Sequence, residues 1–204
     1  DSLLPRDSAV RWNVATDISA FEGAHNPVGP PDTNPYGLIG TGGHRVVTDA
    51  GGNDLLEVHG NHVELLATFP SRPDRNTDAV PTTVAQGPDG SYYVGELTGG
   101  PFNVGAANVY RVSGGQATVY CSGFSFIISM AWGPDGHLYV LQFASAAGLT
   151  GPGILYRIDA GCVKTPVVED LFTPGGLAFG ADGATYISQG SILASGGTVW
   201  RFEP

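Results

Sequence analysis

The chain has 204 residues, of which 42% are hydrophobic and 14% are charged, and its net charge is −10. This composition excludes a disordered chain or a coiled coil and is sufficient for one domain with a buried core. The acidic charge disfavours nucleic acid and anionic membranes as partners, and no hydrophobic run is long enough to span a membrane.

The predicted elements begin with a strand at Ala9–Thr16, in which apolar and polar residues alternate as in a strand with one buried face. From Asn34, the sequence NPYGLIGTGGHRVVTD predicts two short strands joined by a glycine turn. A third strand is predicted at Leu55–Val58 and a fourth at His62–Thr68. Together these four strands predict one antiparallel sheet.

Three clearer copies of this unit follow, beginning near Pro81, Ile127 and Pro174. They read PTTVAQGPDGSYYVGE, IISMAWGPDGHLYVLQ and PGGLAFGADGATYISQ. Each contains Gly-x-Asp-Gly, which supplies the left-handed backbone that a tight hairpin needs. Their later strands are predicted at Val109–Val112, Ala117–Tyr120, Leu155–Ile158, Thr165–Glu169 and Val199–Phe202.

A four-stranded unit that recurs every 46 or 47 residues predicts an all-β protein, a β-propeller with blades that start near residues 34, 81, 127 and 174. The chain, residues 1–204, is predicted to be a single propeller domain or a fragment of one. The last blade lacks a fourth strand. Either residues 9–16 fill that place and close a ring of four, or they are the outer strand of an earlier blade in a larger ring. Open blade faces are apolar, so a polypeptide that supplies missing blades is an expected partner.

Three segments resemble the ScyD/ScyE family of exported bacterial propeller proteins, with NHL-like blades. They are NPYGL from Asn34, TDAGGNDLLEV from Thr48 and VPTTVAQGPDGSYYVGELTGGPFNVGAANVYRV from Val80. The resemblance extends over nearly the whole chain. It implies a ring of six blades, of which this chain is the carboxyl-terminal portion, and it implies a secreted or periplasmic location. The family has no settled chemistry, so the resemblance implies little about activity.

Each second strand ends on a polar residue, and the inner strands of a propeller line its axis. We therefore predict that four side chains ring one mouth of the channel, beside the long loops: Asp49, Glu96, Gln142 and Gln189. The leading interpretation is that these strand ends are polar because they lie near water, and a ligand or metal site is the alternative. Carboxylate and amide oxygens are ligands for calcium rather than zinc, so a metal site here would hold calcium, with Asp49 and Glu96 as its charged ligands.

Three aromatic residues, Tyr36, Phe102 and Phe126, are predicted near the same mouth. Aromatic rings beside polar groups suit a flat organic ligand, although packing between blades explains them equally well.

The histidines show no metal-binding spacing in the sequence. His44 and His137 occupy equivalent turns at the opposite mouth and are expected to be exposed, whereas His25, His59 and His62 are scattered in polar segments. Motifs for a serine nucleophile or a phosphate-binding loop are also absent from the sequence.

Cys121 and Cys162 allow at most one internal disulfide. They lie at non-equivalent positions of successive repeats, so two buried thiols are expected and a bridge is the alternative. An acidic chain with a single lysine is typical of an extracellular or a salt-tolerant protein. The chain starts at Asp1 without methionine, which predicts processing or truncation upstream.

The leading functional prediction is a secreted, non-enzymatic binding or scaffold propeller that uses its loop-rich mouth to bind a small molecule or a partner protein. The alternative is a metal-dependent propeller enzyme of lactonase or lyase type, with Asp49 and Glu96 as ligands or acid–base groups. A third hypothesis is an assembly role, in which incomplete edges pair with another chain.

Overall fold

Four antiparallel sheets follow one another along the chain in the computed structural model, which describes residues 14–25, 31–69 and 77–203. Blade 1 contains β1 (Pro35–Thr41), β2 (His44–Asp49), β3 (Asp54–His59) and β4 (His62–Thr68). Blade 2 contains β5 (Pro81–Gln86), β6 (Tyr92–Glu96), β7 (Ala107–Ser113) and β8 (Gln116–Phe124). The strands of each sheet are paired in chain order.

Blade 3 contains β9 (Ile127–Trp132), β10 (Leu138–Gln142), β11 (Gly153–Asp159) and β12 (Val163–Leu171). Blade 4 has three described strands, β13 (Gly176–Phe179), β14 (Thr185–Gln189) and β15 (Thr198–Phe202). First strands of adjacent blades contact each other in the order β1, β5, β9 and β13, as inner strands around one axis do. The predicted all-β propeller fold is therefore confirmed.

The turn between the first and second strands has the same hydrogen bonds in blades 2, 3 and 4. In blade 2, Gly87 N donates to Ser91 O at 2.8 Å, and Asp89 Oδ1 accepts the Ser91 N–H at 3.1 Å. Gly90 has φ of 78°, a left-handed conformation that glycine adopts without strain. Gly87 has no space for a Cβ because the ring of Tyr93 packs against it. The repeated Gly-x-Asp-Gly sequence thus serves both the turn and the packing above it.

The hydrophobic core lies between blades rather than at one centre. Each blade places one face against the previous blade and the other against the next, because side chains alternate along a strand. The side chains that meet include Val46 and Leu55 with Val94, Tyr93 and Val109 with Val140, and Leu141 and Leu155 with Ile187. Stacking of neighbouring sheets therefore holds the array together.

The N-terminal segment packs on part of the free face of blade 1. The Thr16 hydroxyl donates to Gly60 O, and helix α1 (Ile18–His25) begins after Asp17, whose Oδ1 accepts the Ala20 N–H at 3.0 Å. A cleft of about 440 Å³ remains between this segment and the blade; it is lined by residues that include Ala15, Thr16, Ile18, Tyr36, Leu38, Arg45, Val47 and Val58. The sequence did not predict this helix.

The ring-closure prediction is only partly within the described residues. Residues 9–13 of the predicted strand lie outside them, and Val14–Thr16 are not in a strand. Within the described ranges, β15 pairs with β14 and with no second strand.

Cys121 and Cys162 form a disulfide with their Cα atoms 5.2 Å apart, so the expectation of two thiols was wrong. Cys121 lies in the outer strand of blade 2, and Cys162 lies in the short turn that precedes the outer strand of blade 3. Non-equivalent positions can meet because the outer strand of one blade lies beside the outer turn of the next. The bridge links two neighbouring blades covalently.

Candidate functional site

The long loops gather at one end of the propeller, which we call the loop mouth. It comprises the connections from second to third strands (residues 50–53, 97–106, 143–152 and 190–197). It also includes the links, by which we mean the segments that lead directly into the first, inner strand of each blade. One backbone hydrogen bond joins loop and link in every blade: Ala50 N to Asn34 O, Leu97 N to Val80 O, Phe143 N to Phe126 O and Gly190 N to Phe172 O, at 2.9–3.0 Å. The four blades therefore present their loops on one repeated framework.

The four polar residues predicted to ring this mouth are all buried, with at most 5% exposure, and each accepts a backbone N–H. The bonds are Asn34 N to Asp49 Oδ1 (2.6 Å), Asn108 N to Glu96 Oε1 (2.7 Å), Ser125 N to Gln142 Oε1 (2.8 Å) and Phe172 N to Gln189 Oε1 (2.6 Å). In blades 1, 3 and 4 the side chain thus fastens the link that enters its own blade. A ligand-binding role for these residues stays a prediction.

Asp49 accepts several hydrogen bonds. Its carboxylate accepts the Thr33 hydroxyl at 2.7 Å and the backbone N–H groups of Asn34, Gly51 and Gly52 at 2.6–3.0 Å. These donors already compensate its charge and leave it little capacity for a cation. Calcium at Asp49 and Glu96 stays a prediction.

The predicted aromatic residues divide between two places. Phe126 is 0% exposed and packs with Phe143 and Ala144 in a small cluster, and the ring of Phe102 meets that of Phe126 edge to face at 6.3 Å. Tyr36 lies instead on blade 1, 53% exposed, at the cleft beneath the N-terminal segment. The cluster gives the two longest loops a core of their own.

Four exposed apolar side chains lie on the loops and links of the loop mouth. Val104 lies on the blade 2 loop and is 54% exposed; Phe172 enters blade 4 and is 60% exposed; Ile192 and Leu193 on the last loop are 69% and 46% exposed. Phe172 and the last loop are adjoining, since Gly190 N bonds Phe172 O. Exposed apolar side chains on adjoining loop segments mark a surface suited to binding.

Two carboxyl groups meet under helix α1. Glu22 is 1% and Asp54 0% exposed, they face each other closely enough to share a proton, and none of their oxygens has another hydrogen-bond donor among the described residues. Burial and the neighbouring charges of Glu22 and Asp49 raise the pKa of Asp54 to about 8, and burial also raises the pKa of Glu22. Gly52 has no side chain because a Cβ there would lie 3.0 Å from the Glu22 carboxylate.

Three metal-ligating side chains meet at the opposite end of blade 1. His44 Nε2 lies 2.7 Å and His59 Nε2 3.6 Å from Glu57 Oε1, and the three ligand atoms all lie within 4.8 Å of one another. Among the described residues, this is the one group of three or more such side chains so close together. The expectation that His44 and His59 are unrelated polar histidines was therefore wrong.

The strand register explains why the sequence did not reveal this group. Val46 pairs with Glu57 and Arg45 with Val58, which places His44 opposite His59 on the face that carries Glu57. Spacing along the chain conceals the group, because its members come from two strands. Knowledge of the β2–β3 register would have been sufficient to find it.

No family model and no curated protein sequence matches this chain, so the ScyD/ScyE resemblance stays a prediction. Solved structures do match its fold. An inactive virginiamycin B lyase from Staphylococcus aureus, solved with quinupristin, matches with a TM-score of 0.58 at 17% identity and covers 86% of this chain. A gluconolactonase from Xanthomonas campestris matches with a TM-score of 0.59 at 17% identity and covers 79% of this chain.

Regucalcin from Agrobacterium tumefaciens, a calcium-binding protein, matches with a TM-score of 0.51 at 16% identity and also covers 79% of this chain. This chain spans 57% of the lyase and 55% of each of the other two. At these identities the matches show the β-propeller fold alone. In the part of the chain that the structure describes, no helix has the length and apolar character to cross a bilayer.

Proposed function

We propose that this chain is part of a secreted or periplasmic binding propeller that recognises its ligand at the loop mouth. The observation that carries the proposal is the set of exposed apolar side chains, Val104, Phe172, Ile192 and Leu193, on loops attached to a regular framework. Loops that are already ordered lose little conformational entropy on binding. The apolar surface suits a flat organic molecule or an apolar segment of a partner protein.

The disulfide supports the proposed location. Disulfides persist in the periplasm and outside the cell but are rare in reducing compartments. Cys121 and Cys162 are the two cysteines of this chain, and both are in the bridge.

The alternative of a metal-dependent lactonase or lyase requires Asp49 and Glu96 to act on a metal or a substrate. Asp49 already accepts four hydrogen bonds, and Glu96 accepts the buried Asn108 N–H. Freeing either carboxylate would leave buried donors without acceptors, which costs about 1–3 kcal/mol for each donor. These contacts favour recognition over catalysis at this mouth.

The test is an NMR titration of the ¹⁵N-labelled chain with neutral flat aromatic fragments, such as indole. We expect shifts at amides of residues 97–106, 143–152, 172–175 and 190–197. The double variant Phe172→Ser, Ile192→Gln should weaken the strongest fragment at least threefold. Val119→Gln, at a 55% exposed position on the outer strand of blade 2, is the matched control and should bind as the parent does.

Two results would count against the proposal. One is the absence of shifts with every fragment of the panel. The other is a set of shifts centred away from the loop mouth and unaffected by the double variant.

A further inference from the structure

We propose that His44, Glu57 and His59 form a binding site for a divalent transition metal, zinc above all, at the end of blade 1 opposite the loop mouth. The proposal is independent of the function proposed for the loop mouth, because the two sites share no residue and lie at opposite ends of the strands.

The geometry already approaches that of a three-ligand zinc site. Zinc bonds to imidazole nitrogen and carboxylate oxygen are about 2.0–2.2 Å, which separates the ligand atoms of a tetrahedral site by about 3.4 Å. The observed distances to Glu57 Oε1 are 2.7 Å from His44 Nε2 and 3.6 Å from His59 Nε2. Side-chain movements of about 1 Å would therefore admit the ion.

The donor set selects the metal. Two imidazole nitrogens and one carboxylate oxygen suit zinc and its neighbours in the transition series, whereas calcium prefers an all-oxygen shell. Glu57 supplies the negative charge that a divalent cation needs. The imidazoles are partly accessible, with His44 and His59 side chains 21% and 50% exposed, so an ion can enter and a water molecule can occupy the fourth position.

Blade 1 differs from the other three blades in the charged residues at the position of Glu57 and in the neighbouring turn. The position of Glu57 is occupied by arginine in blades 2, 3 and 4: Arg111, Arg157 and Arg201. Those arginines form ion pairs with an aspartate, Arg111 with Asp89, Arg157 with Asp159 and Arg201 with Asp182. Blade 1 has Gly42 where the turn aspartate stands elsewhere.

Blade 1 thus replaces an arginine–aspartate pair by a carboxylate between two imidazoles. His137 in blade 3 occupies the same position as His44 but lies near Asp159, which Arg157 already neutralises. That arginine would repel a cation, whereas blade 1 has a carboxylate, Glu57, at the equivalent position. The reversal of charge at one blade is what a cation site requires.

Tyr92 of blade 2 lies beside the group, with its hydroxyl 3.4 Å from His44 Nε2. Its phenol O–H could donate a hydrogen bond to a metal-bound water, so it would orient the fourth ligand rather than be one.

The test is calorimetric titration of the tag-free, metal-free chain with zinc chloride, together with the visible absorption spectrum of the cobalt(II) form. We expect one equivalent of zinc and the intense bands of four-coordinate cobalt. His59→Ala and Glu57→Gln should each weaken zinc binding more than about 100-fold, because even the loss of an outer partner of a ligand costs 10–100-fold. His59 is half-exposed, so its replacement should leave the fold intact, which circular dichroism would verify.

Two variants provide matched controls. His62→Ala removes the histidine paired across the strand from His59, and His137→Ala removes the counterpart of His44 in blade 3. Both should bind zinc as the parent chain does. The proposal is overturned if the parent binds no zinc, if cobalt remains six-coordinate, or if either control weakens binding as much as His59→Ala.

Discussion

The buried pair Glu22 and Asp54 gives the strongest expected pH dependence at the level of single residues. The pKa of Asp54 is about 8 in the folded chain, against about 3.9 when unfolded. A raised carboxyl pKa means that the unfolded chain loses this proton first. The contribution of this group to the free energy of unfolding is therefore greatest below about pH 4 and decreases as the pH rises to about 8.

We predict that Asp54→Asn removes the contribution of this carboxyl group to the pH dependence of the free energy of unfolding between pH 6 and 9. The difference in free energy of unfolding between variant and parent should change in favour of the variant by about 1–3 kcal/mol from pH 6 to pH 9. One pKa unit corresponds to about 1.4 kcal/mol, and charges relax in the protein. Urea denaturation at both pH values measures it. Glu22→Gln should change stability in the same direction.

Asp78→Asn, at an exposed position, is the control and should follow the parent at both pH values. A parent chain whose stability is the same at pH 6 and pH 9 would contradict the shared-proton interpretation.

At the scale of the element, Gln142 shows how a strand end is connected to the link that enters its blade. Its amide oxygen accepts the Ser125 N–H at 2.8 Å in a site where Gln142 is 5% exposed. We predict that Gln142→Leu destabilises the chain by about 1–3 kcal/mol, because the buried N–H loses its acceptor. Gln116→Leu, on an exposed hairpin end, should change stability by less than about 0.5 kcal/mol.

Urea denaturation of the two variants measures this difference. Equal stabilities for Gln142→Leu and the parent would mean that the hydrogen bond does not stabilise the fold. That result would favour the predicted ligand-binding role of Gln142.

The elements differ in how much of them could be predicted from sequence. The inner strands begin at Pro35, Pro81, Ile127 and Gly176, within two residues of the expected starts, because Gly-x-Asp-Gly and the alternation of apolar residues are local signals. Helix α1 was missed because its stability comes from packing on blade 1 and from the Asp17 cap rather than from an apolar period.

The candidate sites were less predictable than the strands. Their positions depend on which strand ends meet, and a single sequence does not give this. Glu22 and Asp54 are 32 residues apart, and only the placement of the N-terminal segment brings them together. The sequence did not single out Glu57, because the replacement of an arginine by a carboxylate in one blade has no local signature.

At the scale of the whole molecule, the two outer faces of the array are unequal. Blade 1 is partly covered by the N-terminal segment: Val47 is 7% and Val58 8% exposed, whereas Leu38 on the same face is 65% exposed. The outward face of blade 4 carries Val199, which is 70% exposed. Its counterpart in blade 3, Leu155, is buried against blade 4. These contacts support the proposal that a further polypeptide, in this protein or another, packs on blade 4.

We predict that native mass spectrometry of the protein isolated from its source gives a species heavier than the 21.1 kDa of this sequence. The added mass should be a covalent extension or a bound polypeptide, which denaturing mass spectrometry distinguishes. A monomeric species of 21.1 kDa in both measurements would contradict this proposal.

The disulfide between Cys121 and Cys162 also determines how the protein would respond to a protease. The exposed loop at residues 146–148 lies within the segment that the bridge encloses. A single cut there would break the polypeptide yet release nothing, because the sulfur atoms still join both pieces. Cleaved molecules would run as intact ones on a non-reducing gel and separate only after reduction. A chain cut once in the loop at residues 146–148 would therefore still remain one assembled molecule.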